Sequence, residues 1–240
     1  LYLNIWTPAK SADEGLPILI YFNGGGLMAG SGSEPRYDGT ALAQNGVIGV
    51  TANYREGVFG FLAHPELTAE SSYKGSGNYG FLDQCAAIQW VKDNIAAFGG
   101  DPNRINIVGE SAGSFSGSLL MCSPLSKGNL AGAIGSSGAE VMPYGATTQA
   151  DAESQGKALL ESKGLNSIAD ARALPADSLQ ALLPPTGMAS VVLDGYFMKE
   201  SADDVFKKGE QAQVPLLAGW NSQEGTPMQV LRGQDPTLDN

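Results

Sequence analysis

Between Phe98 and Gly113 the chain reads Phe-Gly-Gly-Asp-Pro-Asn-Arg-Ile-Asn-Ile-Val-Gly-Glu-Ser-Ala-Gly, and no other stretch restricts the possible folds as much. Ile105, Ile107 and Val108 form a short, β-branched apolar run that predicts a strand. Gly109 to Gly113 is a G-x-S-x-G pentapeptide, and the Ser/Gly/Leu run from Ser114 to Met121 suits a helix. The order is strand, sharp turn, helix. On such a turn Ser111 takes a strained backbone conformation, which the flanking glycines permit by removing Cβ clashes. Its hydroxyl is held above the sheet edge, close to the unpaired N–H groups at the positive end of the following helix. An oxyanion formed there is stabilised. The pentapeptide alone is a weak signal that an ordinary Gly-rich turn also satisfies, and the strand before it and helix after it strengthen it.

The whole run from Phe98 to Gly113 resembles the active-serine signature of the type-B carboxylesterases, the family that includes the cholinesterases and bacterial p-nitrobenzyl esterases. The resemblance implies an α/β-hydrolase fold, with a mostly parallel central sheet and helices on both faces. It also implies a serine esterase with Ser111 as nucleophile and no metal or organic cofactor. The opening octapeptide, Leu1 to Pro8, matches a second signature of the family, without the acidic-acidic-Cys residues that usually precede it.

The 240 residues are 42% hydrophobic and 16% charged, enough for one α/β domain with a substantial core. A formal net charge of −11 argues against nucleic acid or an anionic membrane surface as partner, since phosphate binding needs clustered Lys and Arg. No apolar run approaches bilayer-spanning length. The chain starts at Leu1 already in strand-like alternation, with no initiator Met and no visible signal peptide, so the N-terminus reads as cut. The resemblance alone favours a secreted or periplasmic setting. Cys85 and Cys122 fit buried small hydrophobes better than a disulfide framework and cannot make a metal site by themselves.

Along the chain, Leu1–Thr7 alternates and Ile18–Phe22 is continuously apolar, as expected for a strand buried on both faces of a parallel sheet. Asn23-Gly24-Gly25-Gly26-Leu27-Met28-Ala29-Gly30 follows at once. Gly24-x-Gly26-x-x-Ala29 imitates a dinucleotide fingerprint, but the next strand, Val47 to Asn53, ends in Asn53-Tyr54-Arg55 rather than an acidic residue. The better reading is an oxyanion-hole loop of the HGGG type, in which the amides of Gly25 and Gly26 join that of Ala112, with a plain structural turn as the alternative. The family's usual His of that loop is Asn23 here, which opens the question of how the loop is braced.

A literal G-x-G-x-x-G at Gly75–Gly80 has no strand before it and reads as a structural lead-in to a helix. That helix, Asp83 to Phe98, carries Ala87, Val91, Ile95 and Phe98 on one apolar stripe, and Trp90 reads as core. Ala131–Ser136 predicts another strand, followed by Ser137-Gly138 in the place of the family's Ser-Gly beside the active site. Ser137 is thus a candidate support for the site, or an ordinary turn serine. Residues 147–190 read as a helical excursion over the pocket within a single incomplete domain spanning residues 1–240. Val191–Asp194 and Val214–Gly219 then return as strands, the latter apolar and of central type.

Acyl transfer by a serine needs a base, and a base needs an acid to orient it. In α/β-hydrolases the chain order is Ser, acid, His. Glu224, in Trp220-Asn221-Ser222-Gln223-Glu224-Gly225, resembles the family's acid motif just past a strand end, with an exposed loop glutamate as the alternative. Glu110 adjoins the nucleophile, yet neighbours on a turn point apart, so it reads as a buried bracing carboxylate. The one histidine, His64, precedes both Ser111 and Glu224, an order this fold does not use. The family's His follows the acid, so the general base is expected beyond Asn240, in a longer polypeptide truncated here at its C-terminus. The 240 residues alone are expected to be inactive or weakly active. The expected partner is a small to medium ester, with Leu27 and Met28 candidates for the acyl side and Trp220 for core or pocket. The competing function is a non-catalytic cholinesterase-like adhesion module, against which the presence of Ser111, the glycine loop and Glu224 all argue.

Overall fold

The computed structural model describes residues 1–138, 145–183 and 191–224. Strand β1 (Leu3–Trp6) leads into β2 (Leu16–Phe22), the glycine-rich loop and a short helix α1 (Thr40–Gln44). Then come β3 (Ile48–Ala52), α2 (Gly57–Phe61), α3 (Pro65–Glu70) and the long α4 (Tyr79–Asn94). The central turn joins β4 (Gly100–Glu110) to α5 (Ala112–Cys122), after which β5 (Gly132–Ser136) completes this half of the sheet. The excursion contributes β6 (Ala146–Thr148), α6 (Gln149–Glu161), α7 (Ile168–Arg172), α8 (Ala176–Leu182) and β7 (Val191–Leu193). Helix α9 (Ala202–Lys208) and β8 (Leu216–Gly219) bring the chain back to the sheet.

The sheet runs β1-β3-β2-β4-β5-β8. Only β1 pairs antiparallel; β3, β2, β4, β5 and β8 are parallel neighbours. Strands Leu16–Phe22 and Gly100–Glu110 therefore lie side by side, and the residues after their C-terminal ends emerge on one edge. Crevices at that edge are where open α/β sheets bind ligands. The predicted strands at Ile18, Val47, Ile105 and Ala131 all appear, each with shifted ends.

Ile18, Ile20 and Phe22 are fully buried, as are Ile48, Ile105 and Ile107, and helices α4 and α5 cover them with Ile88, Val91, Leu119 and Leu120. The opposite face of β2 is only half covered: Leu19 and Tyr21 line a cavity of about 310 Å³ with Trp6, Tyr37, Leu42 and Val108. The apolar run therefore reports one fully buried face, not the two expected of it.

Further expectations are corrected. The buried stripe of α4 is Phe81, Gln84, Cys85, Ile88 and Val91, continuing to Ile95, while Trp90 (39%) and Phe98 (37%) are exposed and contact one another at 6.4 Å between ring centroids. A 3₁₀ turn at Ile95–Phe98 ends the helical register, which rotates Phe98 off the face that Val91 occupies. Among the described residues strand β8 pairs with β5 alone, and Leu216 and Leu217 are exposed. Val191–Leu193 pairs not with the main sheet but with Ala146–Thr148, in a separate parallel pair.

Cys85 and Cys122 are free and buried, and burial pushes each thiol up to about 12. The Gly75–Gly80 segment is structural, as expected. Asn78, fully buried, donates from Nδ2 to the Val192 carbonyl (2.8 Å) and to Asp194 Oδ2 (2.9 Å), and its Oδ1 accepts the Val192 N–H (3.1 Å). One side chain thus clips the end of the excursion to the start of α4. Helices α6, α7 and α8 pack around a small core of Leu160, Leu165, Ile168 and Leu183. Residues 184–190, the last of that predicted segment, lie outside the described residues.

Asn78→Ala strands the buried N–H and C=O of Val192. Urea denaturation should show a loss of about 2–4 kcal/mol, reflecting two buried polar groups left without partners.

Candidate active site

The turn at Ser111 has the conformation the sequence demands. Its φ of 52° with ψ of −121° is a region that L-residues rarely occupy, at a cost on the order of 1–3 kcal/mol. Close packing of glycines holds it there. A Cβ on Gly113 would lie 2.0 Å from the Phe22 carbonyl oxygen, one on Gly109 2.2 Å from the Gly113 carbonyl carbon, and one on Gly138 2.7 Å from the Ser111 oxygen. The helix can start against the end of β2 only because no side chain intervenes. The Ser111 N–H donates to the Ser136 carbonyl (2.9 Å), and the Ser111 carbonyl accepts from Ser114 and Phe115, opening the helix.

The glycine-rich loop meets this turn directly. A Cβ on Gly24 would lie 3.1 Å from Ser111 Cβ and 2.8 Å from the Glu110 carbonyl oxygen. Gly25 (φ 107°), Gly26 (φ 67°) and Leu27 (φ 63°) then run consecutively through left-handed backbone, and the Gly25 carbonyl accepts from the N–H of Met28 (3.0 Å). Among the described residues, the main-chain bonds outside regular elements include none donated by Gly25, Gly26 or Ala112. Leu27 packs in the main core, whereas Met28 lines a cavity of about 370 Å³ with Ala29, Gly30, Glu56 and Phe59.

The parallel register brings Glu224 to the same edge. Glu110 stands opposite Ser136, and Ser136 opposite Gly219, so Ser111, Ser137 and Trp220 leave three adjacent strands side by side. Ser137, itself at φ 54°, receives its place from an N–H bond to the Gly219 carbonyl (2.7 Å) and donates its hydroxyl to Glu224 Oε1 (2.6 Å). The same oxygen accepts the Asn221 N–H (2.7 Å). These donors, Ser137 foremost, hold the Glu224 carboxyl below the ordinary glutamate range. Glu224 and Trp220 are exposed.

Glu110 is exposed too, which corrects the expectation that it is buried. As the last residue of β4 it turns outward, with Oε2 lying where a Gly24 Cβ would be 2.8 Å away. Partial desolvation, and then the nearby charge of Glu224, raise its carboxyl.

His64 is buried at the N-terminus of α3, where Nδ1 accepts the Glu66 N–H (3.2 Å) and its main-chain N–H donates to Ser76 Oγ (3.1 Å). It is a helix cap. Among the described residues no group of three or more His, Cys, Asp or Glu could hold a metal ion, and no helix is long and apolar enough to cross a membrane. A cavity of about 730 Å³ between α2, α3, α7 and α8 contains none of these site residues.

Sequence reasoning missed Tyr54 and Glu56. Tyr54 Oη donates to the Asn23 carbonyl (2.8 Å), and Glu56 Oε1 accepts from Asn23 Nδ2 (3.0 Å). What brings them there is the pairing of β3 parallel to β2 with Thr51 opposite Tyr21, so that the residues after each strand share an edge.

The parallel sheet and the strand–turn–helix at Ser111 define an α/β-hydrolase. Residues 1–238 match the model of the carboxylesterase family, and the chain belongs to that family. It is 44% identical over 234 residues to the fumonisin B1 esterase of Sphingopyxis macrogoltabida, covering 94% of this chain and 42% of that protein. It is 36% identical to the para-nitrobenzyl esterase of Bacillus subtilis, over 100% of this chain and 50% of that one. Among solved structures, the Geobacillus stearothermophilus carboxylesterase EST55 superposes with a TM-score of 0.84 at 36% identity, over 97% of this chain and 49% of the other. The chain thus spans about half the length of the relatives it matches.

In Ser137→Ala the Glu224 carboxyl loses its first donor and should titrate higher, nearer the ordinary glutamate value of about 4.3. Because a lowered native pKa stabilises above the unfolded value and is lost as pH falls through the native one, the variant should lose its acid-side contribution at higher pH. Carboxyl-detected NMR titration measures both.

Proposed function

We propose that the polypeptide carrying this chain is a serine carboxylic-ester hydrolase that works through an acyl-enzyme. The observation that carries the reading is the left-handed Ser111, which abuts Gly24 of the glycine loop and donates its N–H to Ser136, the residue before the Ser137 that binds Glu224. In this reading Ser111 Oγ attacks the ester carbonyl, and its carbon becomes tetrahedral. The developing oxyanion is taken by the N–H groups of Gly25, Gly26 and Ala112, donors already oriented before the charge appears. Glu224 orients the general base. That base takes the Ser111 proton, passes it to the departing alcohol, and later activates the water that releases the acid and regenerates Ser111.

His64 is occupied as a cap and precedes the acid, so the reading assigns the base to a histidine outside these 240 residues. That agrees with relatives about twice as long. The relatives are named as esterases for dissimilar compounds, fumonisin B1, para-nitrobenzyl esters and cocaine. A small to medium ester is accordingly the proposed substrate class, and no metal or organic cofactor is needed by this chemistry.

A fluorophosphonate probe should label the full-length polypeptide at Ser111, as mapped by peptide mass spectrometry. Ser111→Ala should abolish labelling and reduce p-nitrophenyl acetate turnover by roughly 10⁴ or more, since members of a triad act as a unit. Labelling elsewhere, or turnover that survives the substitution, overturns the assignment.

A further inference from the structure

Three consecutive left-handed residues at Gly25, Gly26 and Leu27 do not hold a conformation by themselves, least of all with a leucine among them. Oriented amides are useful to an oxyanion only if they stay oriented, so the surroundings must fix the loop. One side chain reaches the point where its ends meet. Glu56, half-buried just ahead of α2, accepts the Asn23 Nδ2 hydrogen bond at 3.0 Å.

The two ends are pressed together at that point. Asn23 is only 2% exposed, and its second amide proton goes to the Gly24 carbonyl (3.0 Å). A Cβ on Gly30 would lie 2.0 Å from Asn23 Nδ2 and 3.0 Å from the Gly24 oxygen. The residue after the carboxylate holds the middle of the loop, because the Gly57 N–H donates to the Leu27 carbonyl (2.8 Å). Tyr54 anchors the main chain of Asn23 from the other side (2.8 Å). Residues 54 and 56 thus grip the loop at its start, and residue 57 grips its middle. The Glu56 side chain does not cap the helix it precedes, so that ordinary role for a residue at this position does not account for it.

We propose that Glu56 is a positioning residue for the oxyanion loop. By holding Asn23 where it packs against Gly30, it closes the loop and fixes the direction of the Gly25 and Gly26 amides. Asn23 takes part as the donor that a half-buried carboxylate needs, so the asparagine and the glutamate form one device. The inference rests on the esterase reading above, in which those amides receive the oxyanion.

The test uses the full-length polypeptide with Glu56→Ala, Glu56→Gln and Asn23→Ala. Two readouts are p-nitrophenyl acetate kinetics and hydrogen exchange of the Met28, Ala29 and Gly57 amides, which are hydrogen-bonded in and to the loop. Glu56→Ala should lower kcat about tenfold or more with KM within about twofold, because only transition-state charge depends on the amides. Exchange at the three amides should rise by about tenfold, while the amides of β2 and β4 keep their protection. Asn23→Ala should do the same. Glu56→Gln, which retains an acceptor oxygen, should recover most of kcat. An unchanged kcat and unchanged exchange in Glu56→Ala overturn the proposal, and so does a rise in exchange spread evenly over the sheet. A wild-type polypeptide without any esterase activity overturns the catalytic reading instead, and the exchange contrast still decides whether Glu56 holds the loop.

Discussion

Everything at the reactive edge depends on backbone approaching backbone where no side chain could fit. Gly113 lies against the Phe22 carbonyl, Gly109 against Gly113, Gly138 against the Ser111 carbonyl and Gly24 against the serine itself. These contacts couple β2, β4, β5 and the helix into one unit, and the strained conformation of Ser111 is the residue left over when they are all satisfied. Strain of this kind persists only when its surroundings over-determine it. The apolar core beneath, with Phe22, Ile107 and Leu119 fully buried, provides the stiffness that makes the overdetermination effective.

Electrostatics divides the same edge. Glu224 is held ionised by donors from Ser137 and Asn221, while Glu110, close enough to feel its charge, is pushed the other way. Two carboxylates on one edge of the sheet thus acquire different affinities for protons, Glu224 from its hydrogen bonds and Glu110 from partial desolvation and the charge of Glu224. The one that accepts well-aimed donors keeps its charge and is suited to orient a base.

The strands, the turn and the glycine loop were legible because each rests on a local rule: β-branched runs, glycine where Cβ cannot fit, and strand followed by helix. What misled was the assumption that apolar composition reports position in the sheet. Leu19 and Tyr21 extend a continuous apolar run yet are only half covered. Helical periodicity likewise misplaced Phe98, because a change from α to 3₁₀ geometry shifts the angular count, while Trp90, expected in the core as a large apolar side chain, lies on the exposed side of α4. Glu56 escaped notice for another reason. Its role depends on β3 lying beside β2, and adjacency between parallel strands is not written in either strand.

The separation of Ser136 from Leu216 in sequence has a consequence of its own. These strands pair in register although the excursion and helix α9 intervene between them. The entropy of closing such a loop grows only logarithmically with its length, so residues can be added to or removed from the excursion at little cost to the pairing beneath. In the proposed esterase the reacting groups follow the strand ends, and residues 146–193 depart from between them. Descendants of this chain could therefore remodel what enters the crevice without disturbing the chemistry proposed there.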